Sequence, residues 1–199
     1  LVAIIGTEAV AARSLTGKLQ SIAMSMISAI IMVLPGFIGQ NLGAGKIKRA
    51  QKAMRMIQAF IMGWGLLMWG LLSLIGPMLI HLFTDDPLVF DYTMLWVGIV
   101  PPFLGFLAMV LVGSNTLNVL KKPQRATIIY LIRMLALNVP LAYLFYANDG
   151  LRGIYWARAI SIIGSGTMTF IWLEASFKQM KRERESQKQK EIAMAMASE

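Results

Sequence analysis

The chain has 199 residues, is 57% hydrophobic with a mean hydropathy of +0.63, and carries a net charge of +9. Soluble domains hold about 45–50% apolar residues even with glycine counted, so composition argues against a water-soluble fold. A nucleic-acid reader gathers Lys and Arg on one face, whereas here they sit in short gaps between apolar runs, and the absence of cysteine removes disulfides and thiolate metal sites.

The chain opens on Leu1-Val2-Ala3-Ile4-Ile5-Gly6 with no charged leader or cleavage site, so it does not read as a signal peptide. Leu1 to Ile5 is expected to be the tail of a helix that begins upstream in a longer protein. A bilayer span needs about 20 mostly apolar residues, and five stretches meet that length: Leu15 to Leu42, Met54 to Phe83, Leu88 to Leu120, Thr127 to Tyr146 and Leu151 to Phe177. The expected fold class is all-α, a polytopic transmembrane helix bundle of five complete helices plus the end of a sixth. It divides into a transmembrane lobe, 1–177, and a charged tail, 178–199, which reads as helical or disordered and touches anionic lipid through its basic half.

The connections carry their own chemistry. Asn41-Leu42-Gly43-Ala44-Gly45 ends the first stretch with glycines able to take positive φ. In Thr84-Asp85-Asp86-Pro87 an Asp caps the next helix and Pro87 occupies its first turn. Lys121-Lys122-Pro123 and Asn148-Asp149-Gly150 make the remaining turns. Inside the stretches Pro35-Gly36, Pro77, Pro101-Pro102 and Pro140 each remove a backbone hydrogen bond and invite a kink; the Pro101-Pro102 pair, lying mid-helix, points to function.

Basic residues set the direction of the helices, because cytoplasmic loops collect Lys and Arg. One set of connections carries Lys46, Lys48, Arg49, Lys52, Arg55, then Lys121, Lys122 and Arg125, then the basic tail. The alternating set carries Glu8, Asp85, Asp86, Asp91 and Asp149, with Arg13, Lys18 and Arg152 as exceptions. The first set, and with it the C-terminus, is expected to be cytoplasmic.

Ionisable groups within a span are functional candidates by default, and Arg133 and Arg158 qualify. Either they snorkel to the interface, or they face the bundle interior and meet an anionic partner or line a water-filled cavity. Gln58, Asn115, Asn118 and Asn138 are amides able to bond across helices. His81, near a helix end, fits an interfacial structural role better than a metal site. With one His, no phosphate loop and no paired carboxylates within a span, an enzyme is the least expected class.

Gly6-Thr7-Glu8-Ala9-Val10-Ala11-Ala12, then Gly39-Gln40-Asn41-Leu42-Gly43-Ala44-Gly45 with Arg49-Ala50, and Leu82-Phe83-Thr84-Asp85-Asp86 resemble the multidrug and toxic compound extrusion (MATE) transporters. Gly150 and Gly153 at the start of the last helix add to this. The resemblance covers the chain up to the tail and implies the second, C-terminal lobe of a twelve-helix exporter, whose two lobes rock about a central cavity. It further implies a secondary active antiporter in the plasma membrane, or the inner membrane of a Gram-negative cell. Such an antiporter exports cationic or amphipathic drugs in exchange for protons or sodium.

Some branches of the family carry an acidic residue in the fourth helix of this lobe; Val97 to Leu120 has none, and Gly113-Ser114-Asn115-Thr116-Leu117-Asn118 stands where those branches show another signature. The coupling site is therefore expected in the missing N-terminal lobe, with no cofactor bound. Expected partners are the bilayer, that lobe and small amphipathic organic substrates, but not nucleic acid. Gln58, Pro101, Pro102, Asn115, Arg133 and Arg158 are the candidates for the transport pathway. Two alternatives stay open. A flippase for lipid-linked saccharides should turn Arg133 and Arg158 toward a cavity to meet a phosphate, and a non-transporting membrane scaffold would use its helices only for packing.

Overall fold

The computed structural model describes Val2–Ala197, and every regular element among the described residues is helical. In chain order these are α1 (Val2–Ile5), α2 (Thr7–Gly43), α3 (Ile47–His81), α4 (Pro87–Ile99), a 3-10 turn (Pro101–Phe103), α5 (Leu104–Val119), α6 (Pro123–Leu131), a π-helical segment (Ile132–Asn138) and α7 (Val139–Ala197). Thr7–Gly43, Ile47–His81, Pro87–Val119 and Pro123–Met196 are long and apolar enough to cross a membrane.

The last of these is not one rod. Gly150 takes φ 55°, ψ −127°, outside any helix, and the chain doubles back there. A Cβ at Gly153 would strike the Phe145 carbonyl, Ser161 Oγ donates to the Arg133 carbonyl at 2.9 Å, Arg125 donates to Ser176 Oγ at 2.9 Å, and Lys122 donates to Gln179. The partners recede from Gly150 on one limb as they advance on the other, which is the geometry of an antiparallel pair.

The expected turn chemistry is visible atom by atom. Asp86 accepts from Leu88 N at 2.8 Å and Val89 N at 3.4 Å, with Pro87 as the first residue of α4. At the end of α2, Gly45 has φ 74° and Lys46 N bonds back to the Asn41 carbonyl at 2.7 Å; at the end of α5, Lys121 has φ 58° and Lys122 N bonds to the Leu117 carbonyl at 2.9 Å. Both are Schellman caps, and the second places a side chain where glycine is favoured. Left-handed backbone costs an L-residue about 1–2 kcal/mol, against about 0.5–1 kcal/mol for the extra freedom that glycine loses on folding. Lys121→Gly is therefore expected to raise the thermal unfolding midpoint of the detergent-solubilised protein slightly, by roughly 0.5 kcal/mol of stability.

Several expected boundaries are corrected. α2 starts at Thr7 rather than Leu15, and α3 at Ile47 rather than Met54, so Arg13, Lys18, Lys48, Arg49, Lys52 and Arg55 ride on helix ends instead of lying in loops. Lys and Arg are good helix formers whose long stems reach polar surroundings while the backbone stays bonded. α2 and α3 run on through Pro35 and Pro77, while at Pro101 the helix gives way to the 3-10 turn. α7 continues past Phe177 to Ala197.

The bundle is organised around α5, which is apolar on all sides and buried on nearly all of them, as a helix enclosed by others must be. α2, α3 and α7 pack around it. Toward the basic connections the core holds Ile38, Met54, Leu117, Leu173 and Phe177; toward the other end it holds Leu19, Trp96, Val100, Leu104 and Tyr155. Trp64 Nε1 ties α3 to the Ala23 carbonyl of α2 at 2.9 Å. Between apolar helices in lipid, cohesion comes from close packing, so small residues mark the crossings. Gly65 meets Gly105, where a Cβ on Gly65 would lie 2.5 Å from the Gly105 nitrogen, and one on Gly166 would lie 2.8 Å from Phe106 Cβ. Outward faces stay apolar, with Met32 83% and Leu74 80% exposed, as a lipid-facing surface would be.

Candidate functional site

Arg133 and Arg158 come together. Both line a cavity of about 250 Å³, and Arg13 joins them from α2. The buried stripe of α2 runs through Ala9, Ala12, Thr16 and Leu19, and Arg13, four residues beyond Ala9, sits on its rim. On α7 the buried residues include Tyr155, Ala159 and Ile162; Arg158 lies three residues after Tyr155 and four before Ile162, so the helix turns it inward. Asn138 and Ser161 add polar groups, Leu107 and Ile162 form apolar wall, and no carboxylate lines the cavity.

Arg133 and Asn138 both belong to the π-helical segment. Such segments are rare and lie frequently at functional sites. Here the segment turns two polar groups of one helix toward one cavity. Arg158 Nη2 donates to Gln20 Oε1 at 2.5 Å, and the Arg133 guanidinium lies 5.4 Å from the centre of the Tyr130 ring. Arg133 Nε and the Tyr155 hydroxyl are buried without a hydrogen-bond partner among the described residues. Three arginines thus line one cavity, Arg133 and Arg158 with neutral partners and Arg13 exposed at its rim. Each offers donors in a planar fork that matches a phosphate or carboxylate.

The other candidates lie elsewhere. Gln58 is 4% exposed in the core beside Met54 and Ile61, and neither of its amide atoms has a partner among the described residues. Asn115 donates to the Leu111 carbonyl of its own helix at 2.8 Å, so the expected bond across helices is not made. Pro101 and Pro102 form the 3-10 turn between α4 and α5. Asn118 is exposed, and His81 stacks on Phe90 at 4.6 Å between ring centres, a packing role.

Two features escaped the sequence reading. Arg13 was a charge on the acidic side of the topology pattern, and that misfit was the available signal. Glu174 lies four residues before the basic tail; Arg55 grips it with both prongs, at 2.7 Å and 2.6 Å, and Gln51 donates to it at 2.8 Å. This clamp joins α3 to α7. Nearby, burial and then the charge of Arg125 hold the Lys122 ammonium below its usual pKa. Because Arg55 is well exposed, solvent screens the clamp and its contribution to stability is small. Glu174→Gln is accordingly expected to lower the unfolding midpoint slightly, and more at low salt than at high.

The MatE family model matches residues 1–144. The FAD transporter of Shewanella oneidensis is 32% identical over 161 residues, which cover 81% of this chain and 36% of that protein. Among solved structures, the Vibrio cholerae MATE transporter VcmN in its bent form superposes with a TM-score of 0.86 at 27% identity, covering 90% of this chain and 41% of that one. The MATE transporter ClbM in complex with Rb+ gives 0.80 at 25% identity, covering 90% and 42%. The chain thus spans about two fifths of the length of the relatives it matches, and with well over half of its residues matched by the family model, it belongs to the MATE family of membrane transporters.

Proposed function

We propose that this chain is the C-terminal lobe of a secondary active exporter that carries organic phosphates by alternating access, and that the arginine cavity holds the substrate's phosphate group. In this reading the reversal at Gly150 divides Pro123–Met196 into two crossings, giving five in all, with the basic connections and the C-terminus in the cytoplasm. The observation that carries it is the convergence of Arg13, Arg133 and Arg158 on one cavity that no carboxylate lines.

Like charges repel more strongly where protein replaces water, so a pocket lined by three arginines and no carboxylate is a poor seat for a cationic drug. A phosphate reverses the sign, relieving the repulsion among the three guanidiniums and accepting their hydrogen bonds. The cavity, at about 250 Å³, falls short of the roughly 300–1,000 Å³ of a site for a drug-sized molecule. It suits a phosphate headgroup, with the rest of the substrate lying toward the other lobe. The Shewanella relative's substrate, FAD, is such a molecule: an amphipathic dinucleotide with a central diphosphate. The coupling ion, a proton or sodium, is assigned to a carboxylate in the N-terminal lobe, and no cofactor is invoked.

Arg133→Gln removes the charge and keeps a polar side chain in the π segment. In everted vesicles containing the two-lobe transporter, it is expected to slow FAD transport by about 10-fold or more, the worth of one charge-assisted contact. Transport of a cationic dye should not fall. Loss of dye transport with FAD transport intact would reverse the assignment and restore the cationic-drug reading.

A further inference from the structure

A second cationic site lies at the other end of the bundle, where the α2–α3 connection meets the extension of α7. Lys46, Lys48 and Arg49 from the connection and the first turn of α3 face Lys181, Arg184 and Lys188 across one groove. Among the described residues of this groove the one ion pair is Lys181 with Glu185, at 3.8 Å; the remaining cations have no carboxylate within salt-bridge distance. Six bases held against one acid would repel each other and splay apart unless the backbone fixed them.

The backbone seats one of them, Arg184. Gly45 takes its left-handed conformation in the α2 cap, and with no side chain there the Arg184 guanidinium lies directly over the glycine, in space that a Cβ would occupy. The groove opens into a neighbouring one that shares Gly45, Ile47, Arg184 and Lys188 and is floored by Leu42, Ile47 and Met180. The combined surface has a rim of six bases with two carboxylates, Glu183 and Glu185, over an apolar floor. It lies where two membrane-length helices end, at Gly43 and Ile47.

We infer that this groove binds the headgroup of an anionic phospholipid. The rim matches a phosphodiester, the floor matches the glycerol and upper acyl carbons, and the depth matches the headgroup layer; juxtamembrane basic clusters attract anionic lipid for the same electrostatic reason. A lipid seated here bridges α3 and α7 from below, beside the Arg55–Glu174 clamp, and holds the α7 extension against the lobe. The inference rests on membrane residence and not on which substrate is carried.

The test is thermal unfolding of the full chain in detergent with added phosphatidylglycerol, phosphatidylcholine or inorganic phosphate, for the wild type and for Arg184→Gln/Lys188→Gln. Phosphatidylglycerol is expected to raise the wild-type midpoint by about 5 °C, phosphatidylcholine and phosphate by much less. The double variant should unfold at the wild-type midpoint in phosphatidylcholine and lose most of the phosphatidylglycerol shift. An equal shift from inorganic phosphate would make this a free-anion site, an equal shift from phosphatidylcholine would make the effect generic, and a full shift in the variant would place the lipid elsewhere. Each of these overturns the inference. None touches the arginine cavity, which neither substituted residue lines.

Discussion

Arg158→Glu is expected to abolish organic-phosphate transport, lowering FAD flux by about 100-fold or more, and to open the cavity to cations. Arg158 is anchored by Gln20 at 2.5 Å and shares its cavity with Arg13 and Arg133. Reversing its charge places a carboxylate where the substrate's phosphate would sit. It also lets that carboxylate pair with Arg133 or Arg13, satisfying donors meant for the substrate. A charge-assisted hydrogen bond contributes roughly 1.5–3 kcal/mol, and replacing attraction with repulsion adds a comparable amount, which together exceed 100-fold in rate. Arg158→Gln, which removes charge without reversing it, should fall between the wild type and Arg158→Glu. Flux measured in vesicles with matched amounts of folded protein checks the series; a flat response across all three would remove Arg158 from the substrate path.

The largest expected effect on stability comes from Gly65→Leu. At the α3–α5 crossing, even a Cβ would approach the Gly105 nitrogen to 2.5 Å and its Cα to 2.9 Å, both backbone atoms that no rotamer change can move aside. Gly105 is equally tight, its own Cβ position lying 3.0 Å from the Met62 Cα. A leucine forces the helices apart along the crossing and strips contacts from α5, around which the bundle is packed. Overpacking a tight interior typically costs 1–3 kcal/mol and occasionally more, and backbone-on-backbone contact puts this substitution at or above about 3 kcal/mol. The expected result is a loss of the monodisperse peak in size-exclusion chromatography of the solubilised protein. Gly70→Leu, which meets nothing within 4 Å, is the matched control and should leave the peak unchanged.

What could be read from the residues alone was whatever depends on neighbours in sequence. The Asp86-Pro87 start, the Gly45 cap and the reversal at Gly150 are local, and each is set by a side chain or a φ value within a few positions of the turn. Membrane residence follows from composition, which needs no geometry. The helices start at Thr7 and Ile47, ahead of the apolar stretches, because hydropathy marks only the apolar part, whereas the backbone stays helical through flanking charges. The arginine cavity was half legible: Arg133 and Arg158 stood out by depth, but their meeting with Arg13 depends on three helices distant in sequence. The π segment left no trace in a 3.6-residue pattern. Gln58 and Asn115 stand out in the sequence as polar residues in apolar stretches; Gln58 is packed into the core, and Asn115 bonds within its own helix.

The central claim is that this lobe's cavity receives an anion. Its most direct measurement is the ratio of FAD flux to cationic-dye flux through the wild-type two-lobe transporter in one vesicle preparation, with the proton and sodium gradients imposed separately. A clear excess of gradient-driven FAD flux, suppressed by inorganic pyrophosphate added on the substrate side, is the expected result. Gradient-driven dye flux with no FAD transport under either gradient would contradict it.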